Sequence, residues 1–365
     1  MITFPGRIAS LNFLLIAIFL SGSVIIARAQ QPARQNPHMN SGYIPHRVYK
    51  SGDKKFSDLE AMLAELSRAD VAFVGEQHND PATHRIERAI LEGVARRREN
   101  VIVAMEMFER DTQSSLDDYL SGRLTEEEFL KASRPWPNYP LDYRPLIEFS
   151  RAHGWKVIAS NAPRPIASQV SKQGLDAARS GSEADRKLVA KEFSCPMDDY
   201  FKRFSEAMGK GHPSANEKPQ DDKQSDKKQD DERRSVIEKF YYAQCVKDET
   251  MAESIANAIS ANSTGSQSNA LGAQGSPLVI HFNGAFHTDY RLGTAARAIR
   301  RLPKSNVKVI SVVPVDNLDS INVDEYRKRG DFIIFTLKPS SLQQSRTKTK
   351  DEFVLNADDA SISFN

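Results

Sequence analysis

Cysteine is almost missing from this 365-residue chain, which holds two, Cys195 and Cys245. Two thiols with no C-x-x-C spacing exclude a structural zinc site of the cysteine type. In an oxidising compartment they can pair, and their distance in the chain neither supports nor excludes a disulfide. Charge of one sign is also lacking: 50 basic and 48 acidic residues leave +2. That balance gives no electrostatic footprint for nucleic acid or an anionic membrane surface. Internal repeats are absent. The longest apolar run, Leu11 to Ile26, is short and broken by Asn12, Ser21, Gly22 and Ser23, so a membrane span is the weaker reading.

What that run does resemble is an export signal. Arg7 supplies the positive start, and Ala27-Arg28-Ala29 offers a small-residue cleavage site before Gln30. No cysteine stands at the cleavage point, so a lipoprotein anchor is not supported. We expect residues 1–29 to be a signal peptide, 30–42 a disordered leader and 343–365 a loose tail. Residues 209–234 and 262–276 read as solvated, flexible insertions, because they offer almost nothing apolar to bury. The remainder, 43–342, carries enough apolar residues for one large domain.

Within it, strand and helix patterns alternate. Val71–Val74, Val101–Met105, Lys156–Ala159, Pro277–Phe282, Val307–Val313 and Phe332–Thr336 are nearly continuous apolar runs. Helical patterns lie between them: one begins at Asp80-Pro81, one covers Ser235–Ala261 and one His287–Leu302. Buried strands alternating with helices predict an α/β fold, a mostly parallel central sheet with helices on both faces, in three layers.

The polar residues cluster at the carboxyl ends of four of these strands. Gly75-Glu76-Gln77-His78 follows the first, Glu106 ends the second, Asn161-Ala162-Pro163-Arg164 follows the third, and Asn283-Gly284-Ala285-Phe286-His287 the fourth. In an open parallel sheet that edge is where ligands bind. Glu76 and His78, two apart in an extended segment, can face one site. Glu76, His78, Glu106 and His287 could hold a divalent metal or serve as acid/base groups. Gly75 and Gly284 permit close backbone approach. Asp80-Pro81 and Thr288-Asp289 place helix starts above the edge, suited with Arg164 to an anion such as a propionate. Taken singly, His78 and His287 can equally be hydrogen-bonded loop residues and Arg164 a brace for the edge. Glu106, inside an apolar run, needs a buried partner and is harder to explain without a site. His153 and His281 read as packing residues, and His84 as solvent-facing. His38, His46 and His212 lie in polar segments unsuited to ligation.

These motifs, with Trp136-Pro137-Asn138-Tyr139-Pro140, Ala243-Gln244 and Met251-Ala252, resemble in order the haem-binding ChaN family of the Tiki/TraB/erythromycin-esterase superfamily. The resemblance spans about residues 43–337 apart from the two polar insertions. It implies haem binding connected with iron uptake, in a periplasmic or outer-membrane-associated protein that works with outer-membrane uptake machinery. Gly75, Asn161, Arg164, Asn283 and Gly284 would contact ligand. The axial ligand would be a Tyr or His, with Tyr139, Tyr143, Tyr200, Tyr241 and Tyr242 all eligible. A surface-bound macrocycle leaves apolar area that a second copy would cover, so a homodimer is also expected. The alternative is a metal-dependent hydrolase, like Tiki-type proteases or the esterases, in which Glu76, His78, Glu106 and His287 are catalytic.

Overall fold

A computed structural model describes residues 43–211, 223–263 and 276–339. The expected signal peptide, leader and tail, and with them His38 and His212, lie outside the described residues, as do 212–222 and 264–275.

Eight strands form one sheet: β1 (His46–Lys50), β2 (Lys55–Ser57), β3 (Val71–Glu76), β4 (Val101–Glu109), β5 (Lys156–Asn161), β6 (Leu278–Gly284), β7 (Val307–Val315) and β8 (Phe332–Leu337). Their order is β2-β1-β8-β7-β3-β6-β4-β5. The six from β8 to β5 run parallel, and β1 and β2 close one edge antiparallel. The fold is therefore the α/β arrangement expected. β3, β4, β6 and most of β7 are buried on both faces, which is why they read as nearly continuous apolar runs. Odd and even positions of β3 enter different cores. Ala72 and Val74 pack with Met62, Leu63, Ile86 and Ile90 from the helices Leu59–Leu66 and Pro81–Ala95. Val71 and Phe73 pack with Ile255, Ile259, Ala295 and Ala298 from the helices Lys223–Ser263 and Gly293–Arg301.

Chain order places the site. From β3 the chain moves out to β4 and β5, then returns to insert β6 between β3 and β4 before crossing to β7. Ladder pairs Glu76 with Gly284 and Met105 with Phe282 bring the ends of β3 and β6 level with the middle of β4. This reversal of direction opens a crevice at the carboxyl edge.

Several sequence expectations need correction. Residues 223–234 of the first polar insertion are helical, continuous with the long helix to Ser263. Lys, Gln, Glu and Arg are good helix formers, and Arg234 pairs with Glu238 one turn on. The helix expected to begin at Thr288-Asp289 starts instead at Gly293. Before it come two 3₁₀ turns, Ala285–His287 and Asp289–Arg291, with Tyr290 and Arg291 left-handed at φ 63° and 59°. No α-helix N-terminus therefore stands at Thr288. His84 is buried rather than solvent-facing, because charged partners wait for it beneath β3. His281 is buried as expected, while His153 is exposed and stacks on Phe149. Cys195 and Cys245 form a disulfide. No helix of the described residues is long and apolar enough to cross a membrane.

Candidate functional site

The crevice holds two carboxylate–histidine arms. On the first, Glu76 ends β3 and is fully buried. Its Oε1 accepts from His78 Nδ1 at 2.6 Å and from the Tyr143 hydroxyl at 2.7 Å. Trp136 packs edge-on against the His78 ring, centroids 4.9 Å apart. Asp80 caps the next helix by accepting from the Ala82 and Thr83 amides, with Pro81 in its first turn. That helix turns His84 and Glu87, three residues apart, inward beneath Glu76. His84 Nδ1 lies 2.9 Å from Glu87 Oε2 and 3.6 Å from Glu76 Oε2, and its Nε2 donates to the His78 carbonyl at 2.9 Å.

On the second arm, Glu106 leaves β4 between two donors. Oε2 accepts from the Gly284 amide at 2.7 Å, and Oε1 lies 3.1 Å from His287 Nε2. His287 Nδ1 meets Asp248 Oδ1 at 2.7 Å, and Thr294 donates to the same oxygen. Asp248 comes from the long helix and is fully buried. The arms converge at Gly284, where a β-carbon would stand 2.7 Å from His78 Nε2 and 3.6 Å from Glu106 Oε2. Glycine is needed there because backbone, imidazole and carboxylate meet in one place.

Charge follows this pairing. Burial raises the Glu76 carboxyl, but His84 and His78 hold it down at about 2. Glu87 goes the other way, well above the usual carboxylate range, through burial and the negative Glu76 beside it. Burial opposes charge on His84, yet Glu76 and Glu87 lift it to about 10. His78 is raised as well, since Glu76 and Glu106 outweigh its burial. Glu106 is buried but held far below the carboxylate range by His287 and His78, and Glu106 and Asp248 lift buried His287 to about 10. His281, bonded to Ser160 and Asn283, is pushed down to about 4 by burial and stays neutral.

The four residues expected to hold a metal or do chemistry thus fall into two ion pairs, Glu76–His78 and Glu106–His287. The expected ligand-contact residues support the frame. Asn161 Nδ2 donates to the Glu106 carbonyl, Asn283 bridges to Thr288, and a β-carbon on Gly75 would press on Ala285. Arg164 stands apart, pairing with Glu109 at 3.0 Å at the end of β4. Sequence reasoning missed His84, Glu87 and Asp248. An i, i+3 acid–base pair just after a helix start was the available signal for the first two. Of the five tyrosines named, Tyr139, Tyr143, Tyr200 and Tyr241 are buried and Tyr242 is partly exposed.

A cavity of about 370 Å³ adjoins the arms, lined by Gln77 and Phe286, which neighbour Glu76, His78 and His287 in the chain. Its walls include Tyr200, Tyr290 and Tyr326 as well as Arg203 and Arg329. The Arg203 guanidinium lies 3.3 Å from the centroid of the Tyr290 ring. Arg329 pairs with Asp289 at 3.2 Å, while its buried Nε has no acceptor.

A family described as haem-binding uptake, Tiki superfamily, ChaN, matches residues 62–298. The chain belongs to this family. The fold agrees: a structure described as cofacial heme binding to ChaN of Campylobacter jejuni is 16% identical, with a TM-score of 0.53, covering 80% of this chain and 97% of that one. An erythromycin esterase mutant in its open conformation is 11% identical over 84% of this chain and 87% of its own, and its TM-score of 0.39 carries no argument. The ChaN-type chain is also 24% identical over 274 residues to RETICULATA-RELATED 5, chloroplastic, of Arabidopsis thaliana. The match covers 70% of this chain and 33% of that protein, so the chain spans about a third of the curated relative's length.

Proposed function

We propose that this chain is an exported haem-binding protein serving haem or iron uptake. The observation that carries the reading is membership of the ChaN family over residues 62–298. The cavity beside the crevice fits the group: aromatic walls suit a flat macrocycle, and Arg203 and the unmatched Arg329 Nε suit its propionates. Tyr290 and Tyr326 line it and add phenolic oxygens to the candidate ligands. A cavity of this size lies near the lower end for ligand sites, roughly 300–1,000 Å³, so much of a macrocycle would remain outside. That exposed face is the reason to expect a second copy, in a homodimer, or a component of outer-membrane uptake machinery against it.

Export is supported by the N-terminal segment, Arg7 through Ala29, and by the Cys195–Cys245 disulfide, a bond that persists in oxidising compartments such as the periplasm. The test is a haem titration of residues 30–365 followed at the Soret band. A saturable red shift with defined stoichiometry, weakened about tenfold or more by Arg203→Gln, is expected. A featureless titration overturns the reading.

One observation favours a second reading, a metal-dependent hydrolase. His78 and His287 each anchor Nδ1 on a carboxylate, the arrangement that orients a ligand or base, and Glu106 lies between them. Both imidazoles are raised, however, so without a metal they rest as protonated members of ion pairs, poor general bases. A peptidase and esterase screen in which activity is metal-dependent and lost in Glu106→Gln would promote this reading over haem transport.

A further inference from the structure

We infer that Glu76, His84 and Glu87 form a buried binding site for a divalent first-row cation, separate from the Glu106–His287 pair. One donor atom from each of the three lies within 4.8 Å of the others, and all three residues are buried. The unpaired atoms are the second observation. Glu76 Oε2 and Glu87 Oε1 are both buried with no hydrogen-bond donor from any other described residue, and only a proton shared between the two carboxyls can satisfy them. A buried carboxylate oxygen left unmatched is costly, and here two of them occur in one cluster.

The surroundings are those of a ligand set. His84 donates Nε2–H to the His78 carbonyl at 2.9 Å, and its Nδ1 faces Glu87 Oε2 at 2.9 Å, so Nδ1 is the nitrogen that a cation displacing its proton would meet. The other oxygen of Glu76 is taken by Tyr143 and His78, so Oε2 is the one available. Asn138 and Asp142 close the top of the cluster: Asn138 donates to the His78 carbonyl and to Asp142, whose Oδ2 lies 3.5 Å from His84 Nε2. The Asp142 side chain is 17% exposed and marks a way in from solvent. One imidazole with two carboxylates suits Zn²⁺, Mn²⁺ or Fe²⁺. Such an ion would act on the crevice indirectly. It would fix Glu76, whose second oxygen orients the His78 ring, so these residues serve as positioning groups for His78 whichever ligand the crevice takes.

The experiment uses residues 30–365 stripped with chelator and titrated with Co²⁺ in the visible, then competed with Zn²⁺. One equivalent is expected, with affinity falling at least tenfold in Glu87→Gln and in His84→Asn and unchanged in His287→Asn. X-ray absorption on the zinc-loaded wild type needs no variant to fold, and a shell with one imidazole in otherwise oxygen ligation is expected. Absence of saturable binding, a shell with two imidazoles, or binding lost in His287→Asn but not in Glu87→Gln each overturns the inference. A haem titration of Glu87→Gln is read separately, so failure of the metal site and failure of haem binding remain distinguishable.

Discussion

The two arms of the crevice use the same residue types in different arrangements. Beneath β3, two carboxylates, Glu76 and Glu87, press on one imidazole nitrogen of His84, and each keeps an oxygen with no partner. Between β4 and β6, His287 gives one nitrogen to Glu106 and the other to Asp248, so each of its nitrogens meets its own acid. The second arm is a linear relay tied to a backbone amide and to Thr294, although Asp248 Oδ2 at its far end is also buried without a hydrogen-bond partner. The first is a convergent cluster in which burial and the negative Glu76 push the Glu87 carboxyl up. Similar composition therefore gives a chain of paired groups in one place and a cluster of converging carboxyls in the other.

Breaking the relay should have the largest effect. Asp248→Ala leaves a charged His287 buried with only Glu106, and a loss of about 3–5 kcal/mol is expected in urea melts of metal-free protein at pH 7. Alkali should act on the same pair. A histidine raised in the fold stabilises fully below its ordinary value of 6.5, and that contribution fades as pH climbs through about 10. Stability should therefore fall over that window in the wild type and fall less in Asp248→Ala. Equal slopes would show that Asp248 does not set the charge of His287, and the contrast between the arms would collapse. On the acid side Glu76, held at about 2, stabilises above its ordinary 4.5, with loss as pH drops toward 2.

Where the arms meet, Gly284→Ala sets a methyl 2.7 Å from His78 Nε2. A ring can swing, so the expected cost is intermediate, about 1–3 kcal/mol. The more telling readout is the His78 imidazole resonance, which should shift while that of His287 stays in place. If both move together, the arms are one unit.

The sheet was legible because β3, β4 and β6 are covered on both faces and read as Val71-Ala72-Phe73-Val74, Val101 to Met105 and Leu278 to Phe282, apolar apart from His281. Glu76 was legible as an edge group for the same reason, since a polar residue ending an apolar strand has few other places to be, whereas Glu106, expected at the end of its strand, lies inside β4, which runs on to Glu109 past a register shift. β1 and β2 were not legible. They are short, partly exposed and antiparallel, and their apolar positions alternate with Arg47, Lys50 and Lys55. His84 hid behind helical periodicity, which assigns it to the polar face. Only the presence of Glu76 below, a tertiary fact, turns part of that face inward. Asp248 is 39 residues from its partner and sits in Val246-Lys247-Asp248-Glu249, which reads as an exposed charge run. In the fold Glu249 is fully buried too, held by Arg297, Arg300 and Arg301. Charge runs on a long helix are ambiguous until the facing helix is known.

The smallest effect is expected where intuition would place a large one. Glu87 is fully buried and touches His84, so its replacement looks damaging. Its carboxyl, however, is pushed well above the usual carboxylate range by burial and by Glu76, which favours the protonated form in the metal-free protein. Glutamine has nearly the same shape, can accept from His84 through its oxygen and can donate toward the unmatched Glu76 oxygen through its amide. Glu87→Gln should therefore change stability by less than about 1 kcal/mol, the range of substitutions that leave no group unpaired. Glu87→Ala, which removes the acceptor and leaves a void, should cost clearly more. Paired urea melts at pH 7 in chelator decide it. A loss in Glu87→Gln as large as in Asp248→Ala would mean that Glu87 is ionised and paired as fully as Asp248. The β3 arm would then hold both of its acids ionised as the other arm does, and the contrast between the two would be lost.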